Sequence, residues 1–308
     1  MTEIKALDVK KLREQTGAGM MDCKQALTAT AGNLEEAVVW LRKKGLAAAS
    51  KKSGRAAAEG LVGVELQGNA GVIVELNAET DFVARNDKFQ SLLSSVLKLA
   101  VTKDLSLEEL LASPYEDKNH SVADEITNNI AVIGENMNLR RVKRVEVSEG
   151  VVTGYIHNAV VENLGKIAVL VALKSSASKE LLNSLGKKIA MHIAAMRPES
   201  LNTQELDPAK IEKEKEIFFD QAIKSGKPKE IVEKMVDGRI AKFYKEVVLL
   251  EQQFVLDNSL TVKEFIEAEA KKASTPIELV EFARFELGEG IELEEKDFAA
   301  EVASISKA

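Results

Sequence analysis

The sequence is poor in the residues that build disulfides and zinc sites. Its 308 residues include a single cysteine, Cys23, so no intrachain disulfide can form and a reducing compartment is indicated. The three histidines, His120, His157 and His192, have no histidine partner at i,i+4, and with one cysteine this leaves no zinc-ligand spacing. We therefore expect neither a metal ion nor another cofactor.

Long hydrophobic runs are also missing. The longest, IAVLVAL at 167–173, has the length of a strand and is too short to cross a bilayer. Residues 1–11, MTEIKALDVKK, show neither the apolar core of a secretion signal nor the composition of a transit peptide. These absences predict a cytoplasmic protein without membrane contact.

Aromatic residues and positive charge are both in short supply. Aromatics make up 5% of the chain and the net charge is −7, whereas nucleic-acid binders usually combine a basic surface with aromatic platforms. Direct nucleic-acid binding is therefore not expected. Two local basic stretches, residues 43–55 and LRRVKR at 139–144, nevertheless leave an RNA-associated factor open as an alternative.

Motifs typical of enzymes are absent as well. The patterns GxxxxGK[ST], GxGxxG and GxSxG do not occur, so the sequence supports neither a nucleotide-phosphate site nor a hydrolase nucleophile. The apolar helix around His192 favours a hydrogen-bonded core histidine over a catalytic one. The favoured class is a factor that acts by binding another protein, and not an enzyme.

What the chain does contain begins with helical periodicity over residues 6–45. Tight turns divide this stretch into three short helices. Asn33 is the predicted N-cap of the third helix, Glu36 occupies its capping-box position, and Gly45 is predicted to end it. The pattern predicts a compact three-helix domain over residues 1–54 that resembles a ubiquitin-associated (UBA-like) fold.

Several finer predictions concern this domain and its exit. Asp8 is the predicted N-cap of the first helix. In the second helix the spacing of Met20 and Met21 favours core positions, with an adaptable contact surface as the alternative. The small and polar residues at 46–60 predict a connector, partly helical at most, whose basic residues could alternatively touch phosphate.

A strand–strand–helix pattern then occurs twice. The first copy has strands within 61–76 and a helix at 89–101, and the second has strands at 150–159 and 166–174 and a helix at 179–196. A further strand is predicted at 138–147. The fold class is therefore α+β, with a core of two related sheet-plus-helix subdomains, residues 55–140 and residues 141–198 with 247–292.

The second subdomain is interrupted by a strongly helical segment, residues 199–246. SGKP at 225–228 divides it, which predicts an inserted antiparallel coiled-coil hairpin that protrudes from the core. A helix pair packed flat on the domain is the alternative, and self-association through the hairpin is left open. Residues 278–292 predict a helix-to-strand passage, and residues 293–308 predict a C-terminal helical module.

One loop, NAETDFVARND at 77–87, carries an unexpected apolar pair, Phe82 and Val83. The second copy passes from strand to helix through four residues, SSAS, whereas the first copy uses about twelve. The additional segment is not needed as a connection, and loops on rigid sheets are frequent sites of function. The alternative is a local staple in which Phe82 folds back onto the helix at 89–101.

Six segments, taken in order, resemble the bacterial elongation factor Ts family. They are LREQTGAGMMDCKQAL at 12–27, ETDFVARN at 79–86, IGENMNLRR at 133–141, IAMHIAAMRP at 189–198, SGKPKEIVEKMVDGR at 225–239 and FELGEGIE at 285–292. The resemblance covers nearly the whole chain. It implies a guanine-nucleotide exchange factor that binds elongation factor Tu in its GDP-bound and nucleotide-free forms.

The resemblance also implies roles for individual residues of the loop. Phe82 would enter an apolar pocket between helices of the partner's GTPase domain, and Asp81 would engage the partner close by. Thr80 and Val83 would fix the loop. The partner's Mg²⁺ site would be disturbed and GDP would leave faster.

Further contacts follow from the same comparison. The N-terminal domain, around Arg13, Met20 and Met21, would grip another face of the GTPase domain. The second subdomain near His157 would meet a different domain of the partner, and the C-terminal module around Phe298 would add contact.

Overall fold

The computed structural model describes residues 4–116, 120–223 and 228–292. The chain begins with three helices, α1 (Ala6–Thr16), α2 (Met20–Ala29) and α3 (Leu34–Lys52). They pack around the buried side chains of Leu12, Cys23, Ala26, Leu27 and Ala37. The predicted three-helix arrangement of the N-terminal region is therefore confirmed.

The capping of these helices was predicted in part. Asn33 caps α3 as expected: its side chain accepts hydrogen bonds from the backbone N–H groups of Glu35 (3.0 Å) and Glu36 (3.2 Å). The predicted cap at Asp8 is wrong, because α1 begins earlier and Lys5 occupies the N-cap position. Asp8 lies instead in the first turn, where its negative charge is favourable to the helix dipole.

The predicted end of α3 at Gly45 is also wrong, since the helix continues to Lys52. Gly45 is buried, and a β-carbon placed on it would lie 3.3 Å from the β-carbon of Ala131. The glycine therefore permits close helix packing, and the connector predicted from residue 46 begins only after Lys52.

Within the described residues, six antiparallel strands form one sheet. They are β1 (Glu59–Gln67), β2 (Ala70–Ala78), β3 (Met137–Glu146), β4 (Gly150–Val161), β5 (Leu164–Lys174) and β6 (Glu278–Glu286). The order is β3-β2-β1-β5-β4, with β6 also paired to β5. Residues 278–286 are thus a strand from their first residue, so the helical start predicted for this segment is wrong.

Among the residues that the structure describes, the remaining helices lie between the strands. They are α4 (Asp81–Ala84), α5 (Asp87–Thr102), α6 (Leu107–Ala112), α7 (Val122–Ile133), α8 (Lys179–Met196), α9 (Pro208–Ile223), α10 (Lys229–Val247) and α11 (Val262–Ala273), with a 3-10 turn at Leu249–Glu251. The mixed α+β class predicted from the sequence is confirmed.

The sheet curls so that its two halves face each other. A β-carbon placed on Gly71 of β2 would lie 2.9 Å from side-chain atoms of both Leu170 and Val152, which belong to strands that do not pair with β2. Alternate residues such as Val62 and Val64 therefore fill the space between the halves. The outer faces are covered by α5 on one side and α8 on the other.

Helices α9 and α10 pack on each other as an antiparallel pair. Their shared cluster is centred on Ala222, Val232, Val236 and Ile240, and within the described part of the chain it contains no residue from the sheet layers. The pair therefore has a small core of its own. The predicted SGKP turn falls mostly on residues 224–227, which lie outside the described residues.

Candidate partner-binding site

The loop after β2 presents one apolar side chain and buries its neighbour. Residues 79–86 contain the four-residue helix α4, so the segment expected as a loop has one helical turn. Phe82 is 78% exposed, whereas Val83 is 5% exposed. The alternative in which Phe82 folds back onto α5 is therefore wrong, because Val83 occupies the buried position.

The start of this segment is fixed by two carboxylates. The backbone N–H of Thr80 donates to Glu135 Oε2 (3.0 Å), and its hydroxyl donates to Glu135 Oε1 (2.7 Å). In the opposite direction, the backbone N–H of Asn136 donates to Glu79 Oε1 (2.6 Å). Two chain segments distant in sequence are thereby joined on both sides of Thr80.

The end of the segment is fixed by apolar burial and by one amide. Val83 and Ala84 belong to the same buried cluster as Phe89 of α5. The Gln90 side chain donates to the carbonyl oxygen of Ala84 (2.9 Å), and Asn86 caps α5. Phe82 therefore projects from a backbone that is held at both ends, and Asp81 beside it is exposed.

The N-terminal candidates lie on the surface. Met20 is 58% exposed and Met21 is 68% exposed, so their assignment to the core from spacing is wrong; Arg13 is exposed as well. The ammonium group of Lys88, at the start of α5, lies 3.5 Å from the carbonyl oxygen of Gly17. This contact brings the turn before Met20 to the helix that follows Phe82.

A second exposed region lies at the end of β4. His157 is exposed, and its Nδ1 lies 3.1 Å from the Tyr155 hydroxyl. Val160 (39% exposed) and Val161 (40% exposed) continue this surface, and the pairing with β5 shifts between Ala159 and Val161. The sequence does not single out these two valines, because an apolar strand pattern does not show which end of the strand is left exposed by the neighbouring elements. Phe298 lies outside the described residues.

The second basic stretch is occupied by ion pairs. Glu75 is fully buried and binds both Arg140, whose Nη1 lies 3.2 Å from each carboxylate oxygen, and Arg141. Lys143 pairs with Glu281 at 2.7 Å. The basic side chains of residues 139–144 are therefore engaged in ion pairs within the fold, which weakens one of the two observations behind the RNA-associated alternative.

His192 is a core histidine, as predicted. The backbone N–H of Val255 donates to its Nδ1 (3.1 Å), so its Nε2 carries the proton and donates to Gln252 Oε1 (2.9 Å). Burial lowers the pKa of His192, and the hydrogen bond with Gln252 opposes that effect only in part. The neutral imidazole is a structural link between α8 and the chain after α10.

Across the residues that the structure describes, no group of three histidine, cysteine or acidic side chains could hold a metal ion. A search of the same residues finds no helix long and apolar enough to span a membrane. What the geometry provides is an exposed aromatic side chain on a fixed backbone. A side chain presented in this way is suited to recognising another protein.

Comparison with known proteins gives the family. The family model described as Elongation factor TS matches residues 79–289. Elongation factor Ts of Rhodospirillum centenum is 55% identical over 306 residues, covering 99% of this chain and all of the relative. The protein of the same name from Rhizobium johnstonii is 55% identical over 307 residues and covers both chains completely. The chain belongs to the elongation factor Ts family.

Proposed function

We propose that this protein is the guanine-nucleotide exchange factor of elongation factor Tu and that Phe82 is its central exchange element. The observation that carries the proposal is the 78% exposure of Phe82 between the fixed residues Thr80 and Val83. Family membership gives the partner. A large aromatic side chain at the centre of a contact commonly contributes most of its binding energy.

The proposed mechanism acts through the partner's metal ion. Phe82 enters an apolar pocket between helices of the GTPase domain, and Asp81 engages the partner beside it. Mg²⁺ requires near-ideal octahedral oxygen geometry, so a small displacement of the pocket weakens its binding. Without the ion the diphosphate charge is less compensated, and GDP dissociates faster.

The energetics of such exchange are reciprocal. If the factor lowers the affinity of the partner for GDP by a given ratio, GDP lowers the affinity of the partner for the factor by the same ratio. Each tenfold of this effect corresponds to about 1.4 kcal/mol of coupling. The factor does not need to prefer GTP, because the cellular nucleotide concentrations set the direction.

Three other surfaces are proposed to add contact. The N-terminal helices, through Arg13, Met20 and Met21, grip a second face of the GTPase domain; the exposure of both methionines supports this. The end of β4 near His157 meets another domain of the partner, and exposed Val160 supports an apolar contact there. The segment containing Phe298 completes the interface.

The proposed domain organisation fits this exchange function. A UBA-like domain (1–54) and two related subdomains, with the hairpin at 199–246 inserted in the second, would present these surfaces together in the cytoplasm. The exposed side chains of Ile217, Ile223 and Ile231 support self-association through the hairpin. Sedimentation velocity on the wild type and on an Ile223→Ser variant would test that contact; an unchanged monomer for both would reject it.

The direct test is stopped-flow release of a fluorescent GDP from elongation factor Tu. The wild-type protein should accelerate release, and Phe82→Ala should reduce the acceleration about thirtyfold, since a central anchor contributes about 2 kcal/mol or more. Asp81→Ala should reduce it less. Leu256→Ala is the matched control, because Leu256 is also exposed and lies outside the proposed contacts.

Two outcomes would count against the proposal. If the wild-type protein did not accelerate release, the exchange function would be rejected. Retention on heparin at physiological salt would then test the RNA-associated alternative, which the sequence left open. If Phe82→Ala were as active as Leu256→Ala, the exchange element would have to lie elsewhere.

A further inference from the structure

We propose that Glu135 is a positioning residue that holds Phe82 in its presenting orientation. This inference rests on the proposed exchange function. The Glu135 carboxylate accepts two hydrogen bonds from Thr80, one from the backbone N–H (3.0 Å) and one from the hydroxyl (2.7 Å). Thr80 is two residues from Phe82, so the carboxylate fixes the point from which the aromatic side chain departs.

The helix that carries Phe82 depends on support from outside. A turn as short as α4 is unstable by itself, because helix nucleation is unfavourable and few hydrogen bonds follow it. Thr80 occupies the N-cap position, yet its side chain makes no capping hydrogen bond within the described chain. Its hydroxyl donates to Glu135 instead, and Glu135 also accepts the backbone N–H of Thr80, which in a capping box would bind a carboxylate at the third helical position.

The turn between α7 and β3, which carries Glu135, is itself fixed by hydrogen bonds. Glu135 follows the left-handed residue Gly134 (φ 92°) that ends α7, and it precedes Asn136, whose backbone N–H is bound by Glu79. The Asn136 side chain also donates to the carbonyl oxygen of Arg55 (2.8 Å). The turn that carries Glu135 is therefore tied on its far side before β3 begins.

Helix α7, which precedes this turn, also contacts the N-terminal helix α3. Arg42 of α3 pairs with Asp124 of α7 at 2.7 Å, and buried Gly45 of α3 allows close contact with Ala131 of α7. Helix α7 is thus held against α3, and Glu135 follows the residue that ends α7.

The chemistry of the contact distinguishes the available substitutions. Glu135→Ala removes both acceptors. Glu135→Gln keeps one acceptor for the Thr80 N–H, and its amide NH₂ can donate to the Thr80 hydroxyl, which rotates to accept it. The Glu135→Gln variant should therefore keep the geometry of the contact without its charge. If the charge itself were required, Glu135→Gln would be as impaired as Glu135→Ala.

The experiment measures GDP release from elongation factor Tu at saturating factor for the wild type, Glu135→Ala, Glu135→Gln and the exposed control Glu108→Ala. We expect Glu135→Ala to be about tenfold slower, since within the bound complex the free loop must be ordered again before Phe82 can enter the partner. Glu135→Gln and Glu108→Ala should stay within about threefold of the wild type. The backbone N–H groups of Arg85 and Asn86 donate to the carbonyl oxygens of Phe82 and Val83 at the end of α4. Hydrogen exchange at these two amides should accelerate in Glu135→Ala alone.

Wild-type release rates in Glu135→Ala would overturn the proposal, as would unprotected α4 amides in the wild type. If Glu135→Ala did not fold, Thr80→Val would decide, because it keeps the side-chain shape and removes the hydroxyl donor: slower release supports the contact, and unchanged release rejects it. If the wild type itself did not accelerate release, the exchange function would fail, while hydrogen exchange would still test the positioning of α4.

Discussion

The two strand-to-helix connections of the curled sheet solve the same problem with different amounts of chain. From β5 to α8 the chain uses residues 175–178, in which Ser178 caps the helix and the Ser175 hydroxyl binds the carbonyl oxygen of Pro276. From β2 to α5 it uses residues 79–86, with α4 inside and Phe82 exposed. Since four residues suffice for the fold, the longer connection is explained by what it presents.

The strands before these connections, β5 and β2, also differ in the polarity of their buried residues. Ala168, Leu170 and Ala172 of β5 are apolar residues that fill the space between the sheet halves. On β2 the corresponding alternation places Glu75 and Asn77 at buried positions. Apolar packing stabilises the half of the sheet that contains β5. In the half that contains β2, Glu75 is bound by two arginines and by the backbone N–H of Gly288 in the turn after β6.

The largest expected effect concerns Glu75 and its partners. Glu75→Ala should lower the free energy of unfolding by about 3 kcal/mol, because Arg140, Arg141 and the backbone N–H of Gly288 lose their shared buried acceptor. Urea unfolding followed by circular dichroism measures the change. Exposed Glu149→Ala should stay within about 0.5 kcal/mol of the wild type; equal losses in both variants would show that Glu75 is not special.

A smaller effect separates the neighbouring residues of α4. Val83→Ala should cost about 1.5–2.5 kcal/mol of unfolding free energy, because two buried methyl groups are lost beside Phe89. Phe82→Ala should change the unfolding free energy by less than about 0.5 kcal/mol. Thermal denaturation of both variants checks the pair, and a reversed order would place Phe82 in the core.

The smallest effect is a pH dependence in the half that contains α8. The pKa of His192 is lowered by burial, so the folded state binds a proton less readily than the unfolded state. Stability from the neutral side chain is complete above the ordinary pKa of about 6.5 and is lost as the pH falls below it, by up to about 1.4 kcal/mol per pH unit. Urea unfolding from pH 8 to 5 should show a steeper decline for the wild type than for His192→Gln; parallel curves would contradict the assignment.

Much of this fold is predictable because its signals are local. Alternating strands, the cap at Asn33 and the amphipathic helices depend on residues close together in sequence. The predictions for Gly45 and Met20 are wrong for a tertiary reason. Glycine often ends a helix, but Gly45 stays inside α3, where it packs closely against Ala131. Apolar spacing does not show which face of a helix is covered, and Met20 is exposed.

The candidate site shows the same limit. The sequence singles out Phe82 because an apolar pair in a loop is unusual, and the short counterpart connection shows that the loop is longer than the fold needs. Glu135 could not be found that way, since it lies 55 positions from Thr80 and only the pairing of β2 with β3 brings them together. A glutamate after a helix-ending glycine carries no local signal of this role.

The most direct test of the central claim measures affinity and not rate. The Kd of the protein for elongation factor Tu is determined with and without saturating GDP, for the wild type and for Phe82→Ala. We expect GDP to weaken wild-type binding strongly and Phe82→Ala to reduce the ratio of the two Kd values, because the coupling between the two ligands passes through that side chain. An identical ratio in both proteins would show that Phe82 adds contact without opposing the nucleotide, and the proposed role of Phe82 would be rejected.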